Sequence, residues 1–209
     1  MHCEPSAVGS AMTHKATLRK RMGALRKAKS SEAQRRAAAS LARKLHKQPV
    51  FQRAQHVAAY LAINGELDPR PLMGHASRLG KTIYLPVITG QRLIFVRYQP
   101  GITPLIPNRY GILEPRYTHD SVIAPTDLDL VLTPLLAFDT DGGRLGTGGG
   151  FYDRTFAFKR KRHLGARPIM LGLAHACQQV EHLPTDRWDI PLKGVATDRD
   201  IFLQRSAQS

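Results

Sequence analysis

The segment from Asp139 to Arg154, DTDGGRLGTGGGFYDR, has the composition of a loop that binds phosphate. Six of the nine positions from Gly142 to Gly150 are glycine, and Arg144 lies among them. Glycine lets the backbone enter positive-φ conformations, so that several N–H groups can point at one anion. The guanidinium of Arg144 adds a planar, permanent cation that hydrogen-bonds phosphate oxygens. These residue types therefore indicate binding of a phosphate group.

The flanking residues place this loop between a strand and a helix. The apolar run from Asp129 to Leu136 predicts a buried strand, and Phe151 to Phe158 predicts a helix, which together with the loop favour an anion site. A flexible linker is the alternative, but linkers are rich in Gly and Ser and lack an embedded Arg144. The Walker loop is excluded because it needs a lysine. The dinucleotide fingerprint is excluded because no suitable acid follows about 20 residues later.

The loop is too weak to bind a nucleotide alone. A helix N-terminus stabilises an exposed anion by about 0.3 to 1 kcal/mol, or about 2 kcal/mol when partly buried. Micromolar binding needs about 8 kcal/mol. We therefore expect other cations to converge on the site.

Composition predicts one soluble globular domain. The chain has 209 residues, of which 42% are apolar and 22% charged, and no apolar run reaches the length of about 18 residues that crosses a membrane. The first residues lack the pattern of a secretory signal, so we expect a disordered tail at 1–13 and the domain at 14–205. Cys3 and Cys177 are the only cysteines, which favours a reducing cytoplasm over a disulfide framework. We expect a cytoplasmic monomer without membrane contact.

The net charge of +15 is concentrated near the N-terminus, where residues 1–55 carry 13 Lys and Arg against two acids. Such a segment can attract a nucleotide, an acidic substrate or nucleic acid, and a solvated helix face is the plain alternative. The chain lacks aromatic strand motifs, zinc spacings and a helix-turn-helix pattern. A nucleic-acid-binding module therefore stays a second hypothesis, and a non-catalytic nucleotide-binding protein a third.

Periodicity predicts the order of the elements. Helices are expected at 14–29, at 32–48 after a capping box at 31–34, and at 69–79. Strands are expected at 56–62, 82–88, 92–98, 129–136, 168–174 and 201–203. Residues 99–125 hold five prolines and predict an irregular connection. This order favours a single three-layer α/β/α domain with a mainly parallel, Rossmann-like sheet, whose ligands bind at the carboxyl ends of the strands.

The pattern D-x-x-G-x-R-L-G-x-G-G-G-[YF]-Y-D-R at 139–154 resembles the signature of the 5-formyltetrahydrofolate cyclo-ligase family. Shorter motifs extend the resemblance from about residue 15 to 195. They are K-x-x-L-R at 15–19, G-E-L-D at 65–68, Y-L-P at 84–86, G-I-x-E-P at 111–115 and W-D-I-P-L at 188–192.

The resemblance implies an ATP- and Mg²⁺-dependent ligase that converts 5-formyltetrahydrofolate, including polyglutamated forms, into 5,10-methenyltetrahydrofolate. ATP phosphorylates the formyl oxygen, nitrogen 10 closes the ring, and ADP and phosphate are released. No side-chain nucleophile is required, so catalysis consists of positioning and charge neutralisation.

The resemblance also implies the nucleotide site. Arg144 and Tyr152 are the catalytic candidates, and Lys15 and Arg19 reach the phosphates from one face of the N-terminal helix, although a surface pair is the alternative. The triphosphate-binding segment comprises Gly146, Thr147, Gly148, Gly149, Gly150, Phe151 and Tyr152. Some relatives have lysine where this chain has Gly149, and Thr147 replaces a larger residue.

Asp153 and Asp189 are the candidate Mg²⁺ ligands, because Mg²⁺ binds few carboxylates together with phosphate oxygens and water. Asp153 could instead cap a helix, and Asp189 a turn. For folate, the resemblance implies contact with Glu66, while Tyr152 and Trp188 stack on or flank the pterin unless they belong to the core. Glu114 is either a turn residue or part of the site wall.

Overall fold

The structure, a computed structural model, describes residues 7–163 and 165–204. The helices are α1 (Ala7–Lys27), α2 (Ser31–Leu45), α3 (Pro49–Gln52), α4 (Arg70–Arg78) and α5 (Phe151–Thr155). The first six strands are β1 (His56–Ala58), β2 (Thr82–Thr89), β3 (Arg92–Tyr98), β4 (Leu105–Pro107), β5 (Leu113–Pro115) and β6 (Val122–Ile123). The others are β7 (Leu130–Pro134), β8 (Ala137–Phe138), β9 (Arg144–Leu145), β10 (Ile169–Ala174), β11 (Gly194–Thr197) and β12 (Ile201–Leu203).

Eight of these strands form one sheet in the order β12-β11-β10-β7-β1-β2-β3-β6. The five central strands, β11, β10, β7, β1 and β2, pair in parallel. The strands β12, β3 and β6 pair antiparallel at the two edges. The predicted mainly parallel α/β sheet is confirmed.

Helices cover both faces of the sheet. On one face, α2, α3 and α4 pack against alternate strand residues such as Leu130 and Leu132. On the other face, Val131 packs in a cluster with Phe156 at the end of α5. The strands bury side chains on both faces, which explains why the sequence shows continuous apolar runs there instead of alternation.

Helix α1 lies apart from these two layers, beside the glycine loop. Leu18 and Met22 are buried in a third cluster with Leu136, Leu145 and Leu183. This cluster anchors α1 at the end of β7 and at β9, directly before the loop. The helical face next to these apolar residues therefore points toward the glycine segment.

The ends of the elements differ from the predictions. Helix α1 begins at Ala7, within the predicted tail, and residues 1–6 of that tail lie outside the described part of the chain. Ser30 is the N-cap of α2, with its Oγ accepting a hydrogen bond from the Ala33 N–H at 3.2 Å, so the predicted capping box starting at Ser31 was wrong. The helix predicted over 151–158 ends at Thr155 and continues as a 3₁₀ turn at Ala157–Lys161.

Several short strands were not predicted. Strand β11 has only four residues, all of them buried, and so carries no alternating pattern. The hairpins β4–β5 and β8–β9 consist of strands of two or three residues, and β4–β5 lies within the region predicted to be irregular. Within the described residues, no helix has both the length and the apolar composition that a bilayer span needs.

Candidate functional site

A cavity of about 980 Å³ opens beside the carboxyl ends of β1 and β7. It lies between α1, the glycine loop, the β4–β5 hairpin and the segment before Ile190. The residues predicted for the site all line it: Lys15, Arg19, Glu66, Arg144, Gly146, Thr147, Gly148, Gly149, Gly150, Phe151, Tyr152, Asp153, Trp188 and Asp189. The fold thus brings together residues that are up to 174 positions apart in the chain.

The glycine loop presents unpaired backbone donors to this cavity. Among the described residues, the N–H groups from Gly146 to Gly150 find no hydrogen-bond acceptor. Gly148 and Gly150 have φ values of 101° and 64°, which side chains rarely allow. Because α5 has only five residues, its helix dipole is short, and the loop N–H groups are the backbone donors available to an anion here.

Gly149 is the position at which the family resemblance implied a lysine in some relatives. Its φ lies outside the left-handed region, but a Cβ there would lie 2.9 Å from the ring of Phe151. A lysine at Gly149 would therefore require Phe151 to move. Arg154 stacks over that ring at 5.3 Å and its Nη2 donates to the Gly149 carbonyl at 2.5 Å, which holds the present arrangement.

The start of the loop is held by Asp139, which the sequence did not single out as an individual residue. Its buried carboxylate accepts hydrogen bonds from the N–H groups of Asp141 at 3.1 Å, Gly143 at 2.7 Å and Leu183 at 2.9 Å. A Cβ on Gly143 would lie 2.5 Å from Asp139 Oδ2, so only glycine fits there. Asp139 thus fixes the turn that delivers Arg144 into the cavity.

Lys15 and Arg19 both line the cavity from α1, on the one helical face that their spacing predicted. The Lys15 Nζ lies 2.6 Å from Oδ2 of Asp186, and only 12% of its side chain is exposed. The Arg19 Nε donates to the Gly146 carbonyl at 3.1 Å. Arg19 also lies beside Gly148, since a Cβ there would be 3.7 Å from its Nε. Both cations therefore lie against the glycine loop or the acids that face it.

Arg144 and Asp153 form an ion pair across the loop. The Arg144 side chain is only 6% exposed, and its Nε donates to the Ile190 carbonyl at 3.3 Å. Asp153 Oδ1 also accepts from the Ile190 N–H at 3.1 Å. Gly150 is the N-cap of α5, so Asp153 does not cap this helix. The pair instead links the loop to the segment around Ile190.

Asp189 caps a turn and also faces the cavity. Its Oδ2 accepts from the Asp186 N–H at 2.8 Å and lies 4.0 Å from Lys15 Nζ. Asp189 therefore caps a turn, as the alternative interpretation predicted, and its carboxylate still lines the cavity. In the described part of the chain no three His, Cys, Asp or Glu side chains cluster as a complete metal site. An ion here would need phosphate oxygens and water as further ligands.

Glu66 forms the buried end of the cavity. It is 7% exposed, its Oε1 lies 3.5 Å from Arg26 Nη2, and its Oε2 accepts from the Ile63 N–H at 3.2 Å. Burial raises the pKa of the Glu66 carboxyl, and Arg26 opposes that rise. Burial and the Glu66 charge also raise the pKa values of Tyr60 and Tyr152, so both phenols stay protonated.

The cavity mouth is aromatic and apolar. Trp188 is 53% exposed and Tyr110, on the turn of the β4–β5 hairpin, is 55% exposed. Ile112 and Leu113 line the same side. Glu114 Oε1 accepts from the Ile88 N–H at 2.9 Å and from Asn108 Nδ2 at 2.8 Å, so Glu114 both braces the hairpin and contributes to the wall.

Sequence reasoning missed Arg26, Asp186 and the hairpin residue Tyr110. Arg26 looked like one of many cations in a basic helix. The available signal was its position seven residues after Arg19, about two helical turns later and so on the same face. Asp186 is three residues before Asp189, and only the turn between them reveals its contact with Lys15. Nothing in the local pattern marked Tyr110.

The fold and cavity define a doubly wound α/β protein in which a glycine loop follows the β8–β9 hairpin, beside the carboxyl end of the central parallel strand β7. A sequence profile described as the 5-formyltetrahydrofolate cyclo-ligase family matches residues 11–198. The chain belongs to this family, as the motifs at 139–154 and elsewhere predicted.

Individual relatives agree with this assignment. The 5-formyltetrahydrofolate cyclo-ligase of Escherichia coli K12 is 40% identical over 180 residues, which cover 85% of this chain and 96% of that protein. The Haemophilus influenzae protein of the same name is 43% identical over 142 residues, covering 66% and 73%.

Solved structures share the fold. The NMR structure of Aquifex aeolicus 5,10-methenyltetrahydrofolate synthetase matches with a TM-score of 0.78 at 32% identity, covering 93% of this chain and 95% of that one. A 5,10-methenyltetrahydrofolate synthetase from Mycoplasma pneumoniae matches with a TM-score of 0.68 at 22% identity, covering 88% and 98%. At that identity the second match supports the fold alone.

Proposed function

We propose that this chain converts 5-formyltetrahydrofolate into 5,10-methenyltetrahydrofolate with conversion of ATP to ADP and phosphate. The observation that carries the proposal is the row of unpartnered N–H groups from Gly146 to Gly150, facing a cavity that also receives the cations Lys15, Arg19 and Arg144. The names of the relatives supply the substrate. Nucleotide binding needs more free energy than the loop alone can supply, and these three cations add to the loop N–H groups.

The reaction needs a leaving group for the formyl oxygen. That oxygen attacks the γ-phosphorus of ATP, and the bond to the bridging oxygen breaks to release ADP. Nitrogen 10 then attacks the formyl carbon and loses its proton. The carbon–oxygen bond breaks, and phosphate leaves with the former formyl oxygen, which gives the methenyl cation. Every step involves charge on phosphate, so donors and cations that are fixed in advance stabilise the transition state.

The side chains have separate roles in this proposal. The loop N–H groups bind phosphate oxygens, and Lys15 and Arg19 neutralise their charge from α1. We assign Arg144 to the transferring phosphoryl group, and its fixed position in the cavity wall between the loop and Ile190 supports this role. Tyr152 keeps its proton since burial raises its pKa, and it can donate a hydrogen bond next to Glu66.

Asp153 and Asp189 are the residues that would hold Mg²⁺. Both are carboxylates on the cavity wall, and hard oxygen donors are what Mg²⁺ prefers. When bound, the ion supplies charge neutralisation on the phosphate oxygens. The Asp153 carboxylate pairs with Arg144, and the Asp189 carboxylate lies 4.0 Å from Lys15 Nζ.

The folate would occupy the other end of the cavity. Glu66 can accept hydrogen bonds from the N–H donors of the pterin, while Tyr152 and Trp188 flank its rings. Arg160 lies on the same wall near the mouth, where it can meet an anionic glutamate tail. We propose that the protein acts as a cytoplasmic monomer, which size-exclusion chromatography and cell fractionation would check.

The purified protein should be incubated with 5-formyltetrahydrofolate, ATP and Mg²⁺. We expect the methenyl absorbance band to rise with equal release of ADP and phosphate, and no rise without ATP. Substrate with ¹⁸O in the formyl group should give ¹⁸O-labelled phosphate. Absence of turnover over a range of pH values would reject the proposal. Binding of ATP without turnover would support a non-catalytic relative. Salt-sensitive RNA binding that ATP does not displace would support the nucleic-acid hypothesis.

A further inference from the structure

Arg26, near the end of α1, is a charged side chain buried away from solvent. It is only 4% exposed. Its Nε donates to the Asn64 carbonyl at 2.9 Å, its Nη1 to the Leu135 carbonyl at 3.4 Å, and its Nη2 lies 3.5 Å from Glu66 Oε1. One guanidinium therefore joins α1 to the loop after β1 and to the residue that follows β7.

The contact between α1 and this loop is also made by the backbone. Gly65 has a φ of 76°, and a Cβ at this position would lie 2.7 Å from the carbonyl oxygen of Arg26. His175 Nε2 lies 3.2 Å from the Gly65 carbonyl on the other side. The loop that carries Glu66 is thus held between α1 and the end of β10. The loop has little room to rearrange, so a substitution of Arg26 is expected to change the orientation of the Glu66 carboxylate.

The guanidinium suits this arrangement better than other cations. Its planar fork can donate in three directions at once, whereas an ammonium cannot reproduce the same spread. A buried ion pair stabilises a fold little compared with apolar side chains of the same size. The Arg26 and Glu66 pair is therefore better explained by the orientation of a carboxylate that lines the cavity than by stability alone.

We infer that Arg26 is a positioning residue for the folate end of the site, which fixes the orientation of the Glu66 carboxylate and thereby sets the affinity for the reduced pterin. This inference rests on the proposed function. It also makes α1 a shared scaffold, because Lys15 and Arg19 serve the nucleotide while Arg26 serves the folate from a position further along the helix.

The ionisable groups around Glu66 are Arg26 from α1, Tyr60 after β1 and Tyr152 from α5. Both tyrosines are neutral, since burial raises their pKa values. Arg26 is thus the charged group that, together with the hydrogen bond from the Ile63 N–H, opposes the effect of burial on the Glu66 pKa. Loss of Arg26 should raise the pKa of Glu66 further. As the pH is lowered, Glu66 should therefore become protonated, and folate affinity should begin to fall, at a higher pH in the variant than in the wild type.

The test compares Arg26→Gln, Arg26→Lys, Glu66→Gln and the double variant Arg26→Gln/Glu66→Gln with the wild type. Arg21→Gln, an exposed arginine on the same helix, is the matched control. For each protein, KM and kcat are measured for both substrates, with Kd values for 5-formyltetrahydrofolate and a non-hydrolysable ATP analogue over a range of pH.

Arg26→Gln should raise KM and Kd for the folate by about tenfold or more, the effect of one hydrogen bond to a charged group, with both values for ATP unchanged. Arg26→Lys should be intermediate, because the charge is kept and the fork is lost. The acid limb of the folate affinity profile should move to higher pH in Arg26→Gln. In the Glu66→Gln background, Arg26→Gln should have little further effect.

Unchanged folate affinity in Arg26→Gln, an equal loss of ATP affinity, or additive effects in the double variant would overturn the inference. If Arg26→Gln alone does not fold, the double variant, which lacks both buried charges, is used instead. The inference then holds if its folate affinity equals that of Glu66→Gln, and fails if the affinity is lower. Failure of the proposed function gives a different result, since the wild type itself would then neither bind nor convert the folate.

Discussion

Lys15 Nζ lies 2.6 Å from Asp186 Oδ2, although the two residues are 171 positions apart in the chain. The contact holds a cation of α1 at the wall of the cavity. Asp189 lies 4.0 Å from the same nitrogen. A phosphate that binds Lys15 must therefore share it with these acids or displace them. The charge pattern of the site is one of paired cations and carboxylates, and not an open basic patch.

Lys15→Met tests whether this cation contributes to nucleotide binding. We expect KM for ATP to rise by about tenfold or more, because a charge-assisted hydrogen bond to phosphate is lost, while KM for the folate changes little. Steady-state kinetics would measure both constants. Lys20→Met, at an exposed position on the same helix, is the control. An unchanged KM for ATP in Lys15→Met would show that Lys15 does not contribute to nucleotide binding.

Arg144→Ala tests the proposed contact with the transferring phosphoryl group. We expect kcat to fall by about 10²- to 10³-fold, as when a fixed donor to transition-state charge is removed. The protein should remain folded with a free energy of unfolding lower by about 1–3 kcal/mol, since Asp153 loses its partner. Kinetics and thermal unfolding separate the two effects. Near-normal kcat in a folded variant would exclude Arg144 from catalysis.

Most of the sheet and the main loop could be predicted because their signals are local. The buried strand β7 is a continuous apolar run, and the glycine-rich segment from Gly142 to Gly150 is recognised by its composition. The β8–β9 hairpin, which lies between β7 and Gly146, was not predicted. The resemblance implied that Arg19 and Trp188 belong to the site, and their spacing placed Lys15 and Arg19 on one helical face. The sequence did not predict the contact of Arg19 with the Gly146 carbonyl. Trp188 lies in the connection between β10 and β11, which folds back to the same cavity.

The residues that were missed depend on contacts that no local pattern encodes. Asp139 resembles any turn aspartate until its three hydrogen bonds are seen, one of them from Leu183, 44 residues away. Arg26 shares a helical face with Arg19, but this spacing does not reveal its burial, which depends on the loop after β1 that packs over it. The short strand β11 is recognised only by its pairing with β10.

Gly148→Ala tests the need for positive φ in the loop. At a φ of 101°, alanine is strained, and a left-handed backbone costs an L-residue about 1–2 kcal/mol. We expect the loop to rearrange and KM for ATP to rise several-fold, to about the extent of that strain. Gly101→Ala, at a φ of 78° on an exposed turn outside the cavity, is the control for strain alone. Equal kinetics in the two variants would show that the loop does not need this conformation for binding.

His175 should make the stability of the protein sensitive to acid. It is fully buried with Nδ1 unpartnered, and burial together with Lys29 lowers its pKa below the ordinary 6.5. The unfolded chain then binds a proton more readily than the folded one. The contribution of the neutral imidazole is present above pH 6.5 and is lost as the pH falls from 6.5 toward the lower pKa of the folded state.

We therefore expect the free energy of unfolding to decrease between about pH 7 and pH 5, and to decrease less in His175→Gln, whose amide can still donate to the Gly65 carbonyl. Denaturant unfolding at several pH values would measure the slope. His119→Gln, at an exposed position, controls for the loss of one imidazole. The same slope in His175→Gln and the wild type would show that His175 is not the group responsible.

Removal of Mg²⁺ tests the two carboxylates of the proposed metal site. Excess chelator should abolish turnover, and added Mg²⁺ should restore it. Asp189→Asn and Asp153→Asn should each raise the Mg²⁺ concentration for half-maximal activity by roughly tenfold or more, because a neutral amide is a weaker ligand for a hard cation. Asp141→Asn, an exposed acid near the same loop, is the control.

The two variants should differ at saturating Mg²⁺. Asp153 also pairs with Arg144, so Asp153→Asn should keep a lowered kcat, whereas Asp189→Asn should recover the kcat of the wild type. An unchanged Mg²⁺ dependence in both variants would show that neither carboxylate is a Mg²⁺ ligand.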